Sequence, residues 1–117
     1  MLARDELVKI LTEYQDFTGT KVVAVFDGQG GKASDASEPG GIQIFYSAAG
    51  QTADSVIERL VAKYATLHDI TVATSDHLEQ QTVASFGATC VSVEILRQMV
   101  DECRTGLERE LKKRKQR

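Results

Sequence analysis

Five consecutive apolar residues, Val22-Val23-Ala24-Val25-Phe26, constrain this chain more than any other stretch. They are mostly β-branched and no polar residue alternates with them, the pattern of a strand buried on both faces. Such strands belong to parallel sheets covered by helices, and the flanking sequence supplies helices. Residues 3–18 place Leu7, Ile10, Leu11, Tyr14 and Phe17 on one stripe, with Asp5 and Glu6 in the first turn and Gly19 at the stop. Ile42-Gln43-Ile44-Phe45-Tyr46 alternates as a half-buried strand near a sheet edge. Thr52 suits the cap of a helix carrying Ile57, Leu60, Val61, Tyr64 and Leu67 on one face. A short strand follows at 70–73, then a helix at 78–86 stopped by Gly87, then a strand at 88–91. Ser92 caps a long last helix with Leu96, Met99, Val100, Cys103, Leu107 and Leu111 toward the core. The order α-β-β-α-β-α-β-α predicts a three-layer α/β/α fold with a mostly parallel sheet.

At 117 residues the chain is one domain with room for a real core. No apolar run approaches the roughly 20 residues of a membrane span, and the N-terminus has no signal-peptide core, which argues for a cytoplasmic protein. Cys90 and Cys103 fit no metal spacing and read as reduced core residues. Residues 28–41 have loop composition. Gly28-Gln29-Gly30-Gly31-Lys32 lacks both the Walker spacing and a following helix, so it is no nucleotide loop, although Lys32 can reach a phosphate. Charge divides the chain: residues 104–117 hold seven of the 14 Lys+Arg and two acids, net +5, leaving −8 on residues 1–103. The division separates a domain, 1–103, from a basic helical extension, 104–117. Lys112, Lys113, Arg114 and Lys115 offer contacts to a polyanion; the plainer reading is a solvated helix end whose cations suit the dipole.

Three aspartates, Asp27, Asp54 and Asp76, stand where elements change, at the edge where open α/β sheets build their sites. Each has a local reason as well: an Asp-Gly turn at Asp27, a helix first turn at Asp54, a helix cap at Asp76. Together they would repel one another unless a cation or proton intervened. Hard oxygen ligands with open positions suit Mg²⁺ or Mn²⁺, which hold substrate phosphates and promote phosphodiester cleavage. Glu58, Ser75 and Thr52 stand nearby as residues able to orient ligands or water. His68 and His77 lie far from any nucleophile signature, and no Gly-x-Ser-x-Gly elbow or catalytic cysteine context occurs.

The chain resembles the YacP-like branch of the NYN domains, within the PIN-like ribonucleases. The resemblance runs through Glu13-Tyr14-Gln15-Asp16-Phe17-Thr18-Gly19, Val22 to Asp27, Thr52-Ala53-Asp54 with Ile57-Glu58, Val72-Ala73-Thr74-Ser75-Asp76 with Glu79-Gln80, and Gly87-Ala88 with Ser92. It implies a metal-dependent endoribonuclease with a parallel sheet and an acidic Mg²⁺ or Mn²⁺ centre, some members acting on messenger RNA at ribosomes. By motif, Asp54 and Asp76 would be metal carboxylates, with Asp27 close by. The family opens with a strand ending in Val-Asp-Gly-Tyr-Asn that has no counterpart here. The resemblance places it mid-sheet, between the strands equivalent to 21–26 and 69–74, and makes its aspartate the leading ligand. The expectation is a sheet lacking its central strand and a site lacking one ligand. Unpaired edges there would invite a homodimer. A second reading, of a different class, is a non-catalytic RNA- or ribosome-binding module working through the basic arm; a third is an oligomerisation fragment.

Overall fold

Most helix ends fall where the sequence marks them, but the second helix ends at Tyr64, short of Leu67, which was expected on its apolar face and is 74% exposed. In the computed structural model, which describes residues 4–28, 34–35 and 40–115, helix α1 spans Arg4–Thr18. It stops at Gly19, whose φ of 73° few other residues tolerate and whose N–H donates to the Gln15 carbonyl at 2.9 Å. Helix α2, Ala53–Tyr64, is capped by Thr52, whose side chain accepts from the Ser55 N–H. Helix α3, His77–Ser85, is capped by Asp76, and Gly87 follows it with φ of 101°. Helix α4, Val93–Lys115, starts at Ser92, whose hydroxyl accepts from the Ile95 N–H at 3.1 Å.

The strands are β1 (Val23–Phe26), β2 (Ser34–Asp35), β3 (Gln43–Tyr46), β4 (Thr71–Ala73) and β5 (Thr89–Val91). They form two sheets. β1 and β3 run parallel from Val23↔Gln43 to Phe26↔Tyr46, with β2 antiparallel on the far side of β3. β4 and β5 run parallel, joined by α3 as a βαβ unit. The mixed α/β class and its parallel pairs agree with the sequence reading. Two details differ. β3, expected near an edge, is the middle strand of its sheet, because Ser34–Asp35 in the expected loop pairs with it. A two-residue strand has no apolar period to reveal it. β1, expected to be buried on both faces, is an outer strand, and Val23 at its start is 41% exposed. β1 and β4, the strands expected to flank an absent one, are not hydrogen-bonded to each other, and each has one edge without a strand partner among the described residues.

Each sheet has its own apolar cluster. Leu11, Ala24, Ile42 and Ile44 pack together under the first, with Leu7, Val8, Val22, Phe26 and Tyr46 around them. Val61, Val72, Val83 and Ala88 pack under the second, with Ile57, Ala65, Ile70 and Cys90. Each large side chain so buried contributes roughly 1.5–3 kcal/mol. Gln15 ties α1 to its sheet: its side chain accepts from the Val22 N–H at 2.8 Å and donates to the Gly41 carbonyl at 3.4 Å. At the other end of α1, the Arg4 guanidinium lies about 5 Å from the stacked rings of Phe26 and Tyr46. The apolar stripe of α4 is buried at Val100, but Leu111, expected to face the core, is 49% exposed. No helix among the described residues is long and apolar enough to cross a membrane.

Ile42 is 1% exposed at the centre of the first cluster. Ile42→Ala should lower unfolding free energy in urea by about 2–5 kcal/mol, and Ile42→Val by about 0.5–1.5 kcal/mol.

Candidate functional site

The site is assembled from the ends of β1 and β4 and the start of α2. Asp27 follows β1 and is exposed, and its Oδ1 accepts from the Ala53 N–H, the first residue of α2, at 2.7 Å. Asp54 is next in that first turn, where the fold leaves it half-buried, and Glu58 lies one turn on along the same side. Asp76 lies just past β4 and caps α3, its Oδ1 accepting from the N–H groups of Leu78 at 2.9 Å and Glu79 at 3.3 Å. The turn leading to it is braced twice. The Thr74 hydroxyl accepts from the Asp76 N–H at 3.2 Å, and the Gln80 side chain donates to the Thr74 carbonyl at 2.7 Å.

The carboxylates feel one another. Burial holds the Asp54 carboxyl above its ordinary range, and the charges of Asp76, Glu58 and Asp27 push it in the same direction. Glu79, absent from the sequence-based candidates, is the most deeply placed acid of the group, 4% exposed. Burial pushes its pKa up to about 7, assisted by a hydrogen bond to Glu58 and by the charges of Asp54, Glu58 and Asp76. Its Oε1 is buried with no hydrogen-bond partner. A buried carboxyl among like charges holds its proton to higher pH than an exposed one. A sequence signal for Glu79 exists: it falls four residues before Val83, on the buried face of α3, where an acid is out of pattern.

The other sequence candidates divide. The Thr52 hydroxyl is engaged by the Ser55 N–H at 3.2 Å, and the Ser75 hydroxyl by the Val93 N–H at 3.4 Å, so both close helix starts beside the acids. Lys112, Lys113, Arg114 and Lys115 are exposed in the last turn of α4, which runs unbroken through residues 103 and 104. Lys32 lies outside the described residues. An open groove of about 560 Å³ runs along α2 past Thr52, Glu58, Arg59 and Phe86. The donor set, hard carboxylate oxygens repelling one another around Asp54, is chemically that of a divalent cation site. Among the described residues no three His, Cys, Asp or Glu side chains are close enough together to hold a metal ion as they stand.

Residues 1–117 match the YacP-like NYN domain. Over 113 residues the chain is 32% identical to the YacP protein of Bacillus subtilis (strain 168), an alignment spanning 95% of this chain and 66% of that protein. The crystal structure of the W164L mutant of Rae1 (YacP) from Bacillus subtilis superposes with a TM-score of 0.82 at 30% identity, over 97% of this chain and 67% of that one. A second crystal structure of Rae1 (YacP) gives 0.76 at 30% identity, over 94% and 64%. The chain therefore spans about two thirds of the length of these relatives. Fold, acidic strand ends and relatives together define a nuclease-type α/β domain. The chain belongs to the YacP-like NYN domain family.

The raised Glu79 pKa sets a pH dependence. Unfolded, its carboxyl ionises near 4.5; folded, it keeps its proton to about 7, so the native state binds more protons in that window. Stability in chelating buffer should fall as pH rises from about 4.5 to 7 and then level off, a loss on the order of 3 kcal/mol from this group. Urea midpoints of wild type and Glu79→Gln between pH 5 and 8 check this. The variant should show a flatter profile and the higher midpoint at pH 8.

Proposed function

We propose that this chain is the catalytic domain of a metal-dependent endoribonuclease that cleaves single-stranded RNA. The observation that supports it most is the placing of the acids: Asp27 at the end of β1 is hydrogen-bonded to Ala53 beside Asp54, and Asp76 at the end of β4 and Glu58 lie near enough for their charges to raise the Asp54 pKa. Burying like charges together costs stability, and a fold keeps such an arrangement where a cation or proton is part of its work. Family membership supports the same reaction class.

Asp54 and Asp76 would hold Mg²⁺ or Mn²⁺, with further ligands from water, substrate phosphate or a neighbouring segment. When bound, the ion supplies Lewis-acid chemistry to a phosphodiester. The chain's own groups do the rest. Asp76 keeps one oxygen on the α3 N-terminus, which fixes its carboxylate in orientation. Glu79, its pKa raised by burial and by its acidic neighbours, carries less negative charge near neutral pH than an exposed glutamate would, which lowers the repulsion that approaching phosphates must meet. The proposal extends, as the family resemblance of the sequence implies, to messenger RNA on ribosomes as the substrate setting.

The test is cleavage of a labelled single-stranded RNA by the chain, and by a form extended to the full length of its relatives, with Mg²⁺ or Mn²⁺. Wild type should cleave and chelator should abolish it. Asp54→Asn and Asp76→Asn should each lower the rate at least about 100-fold, since loss of merely supporting groups costs 10–100-fold. Metal-independent cleavage, or full activity in both variants, would refute the proposal.

The second reading, a non-catalytic RNA- or ribosome-binding module, draws on the exposed cations in the last turn of α4. Its mark is salt dependence. Deleting residues 108–117 should lower the slope of log affinity against log salt by about 2–3, while Asp54→Asn leaves binding unchanged.

A further inference from the structure

We propose that Asp27 is a positioning residue: through the Ala53 N–H it fixes the first turn of α2 and thereby the place of Asp54, acting as an acceptor oxygen and not as a metal ligand. The inference concerns the same site and rests on the endoribonuclease reading only for its kinetic arm.

The contact joins residues 26 positions apart at 2.7 Å, a short charge-assisted bond. The first N–H groups of a helix have no partner inside it. At the start of α2 two of them are satisfied separately, Ser55 by Thr52 and Ala53 by Asp27. Only the second bond comes from outside the helix, so it sets the helix against β1. Asp54 follows Ala53 directly, and Glu58 stands above it, so a shift of this turn moves both acids.

Asp27 is itself anchored on both sides. The Phe26 carbonyl before it accepts from the Ser47 N–H at 3.0 Å, and the Gly28 N–H after it donates to the Ser47 hydroxyl at 2.9 Å. Ser47, 2% exposed, belongs to no sequence motif considered above. The approach is so close that a Cβ at position 28 would collide with the Ser47 carbonyl oxygen, which accounts for glycine there. A buried serine and an obligatory glycine thus pin the backbone of β1 to β3, and the carboxylate between them reaches across to α2. Nothing in this relay requires charge: an amide oxygen in the same place accepts the same N–H.

Asp27→Asn and Asp27→Ala separate the roles. The readouts are amide hydrogen exchange at Ala53, the amide chemical shift of Asp54, and kcat and KM for RNA cleavage. Asp27→Asn should keep Ala53 protected and kcat within about threefold of wild type, losing only the charge–dipole contribution. Asp27→Ala should lose protection by about tenfold or more and shift the Asp54 amide. Its kcat should fall about 10–100-fold with KM nearly constant, the signature of a misplaced catalytic group. Gly28→Ala, which leaves the carboxylate in place, should also shift the Asp54 amide by displacing the relay. If Asp27→Asn abolishes cleavage while Ala53 stays protected, charge is what matters and the proposal is overturned. Unchanged Ala53 exchange in Asp27→Ala overturns it equally. If neither the chain nor its extended form cleaves RNA, the endoribonuclease reading fails, and the two amide measurements still decide the role of Asp27.

Discussion

The first turn of α2 is the hinge on which the arrangement depends. This helix follows β3, a strand of one sheet, yet it sends Ile57 and Val61 into the apolar cluster of the other. Because the two sheets share no strand pairing among the described residues, their relation there rests on helices that span them and on a few polar ties. The Asp27–Ala53 hydrogen bond is such a tie, and it falls where the acids collect. One charge-assisted bond contributes only about 1.5–3 kcal/mol. Its effect is large because it acts on orientation: without it, the apolar cluster would hold α2 in place but would not aim its first turn.

The carboxylates push the other way. Asp54 is held above its ordinary pKa by burial and three acidic neighbours, and the pKa of Glu79 is pushed up to about 7. Both shifts mean that these carboxyls hold their protons to higher pH than exposed ones. They also mean that a cation would be welcomed, since it would replace repulsion with attraction at several groups together. The buried, unpartnered Oε1 of Glu79 belongs to the same picture. A polar atom left without a partner costs about 1–3 kcal/mol, which packing elsewhere must offset. Local disagreement with the rules of stability is expected at functional sites, and here it concentrates on the residues that the chemistry would use.

Much of this was legible in the sequence. The helix starts at Thr52, Asp76 and Ser92 and the stops at Gly19 and Gly87 are local signals, and each governs an end of an element in the structure. Among the described residues, the apolar periods located each helix and four of the five strands. What escaped was non-local. The pairing of Ser34–Asp35 with β3 has no apolar pattern behind it. Val23 reads as core but lies on an outer strand, and Leu111 continues a core stripe after the core has ended. Asp27 was visible as an acid at a strand end, but its bond to Ala53 depends on how far α2 sits from β1, which spacing does not encode. Glu79 was overlooked because an acid in the first turn of a helix looks like a favourable partner of the dipole. Its burial shows only once α3 is packed on α2.

The central proposal is that Asp54 and Asp76 together hold one divalent cation. Electron paramagnetic resonance of Mn²⁺ titrated into the chain measures this without reference to catalysis. The account predicts saturable loss of the free Mn²⁺ signal in wild type, weakened at least about tenfold by Asp54→Asn and by Asp76→Asn. No saturable binding in wild type, or binding indifferent to both substitutions, would contradict it.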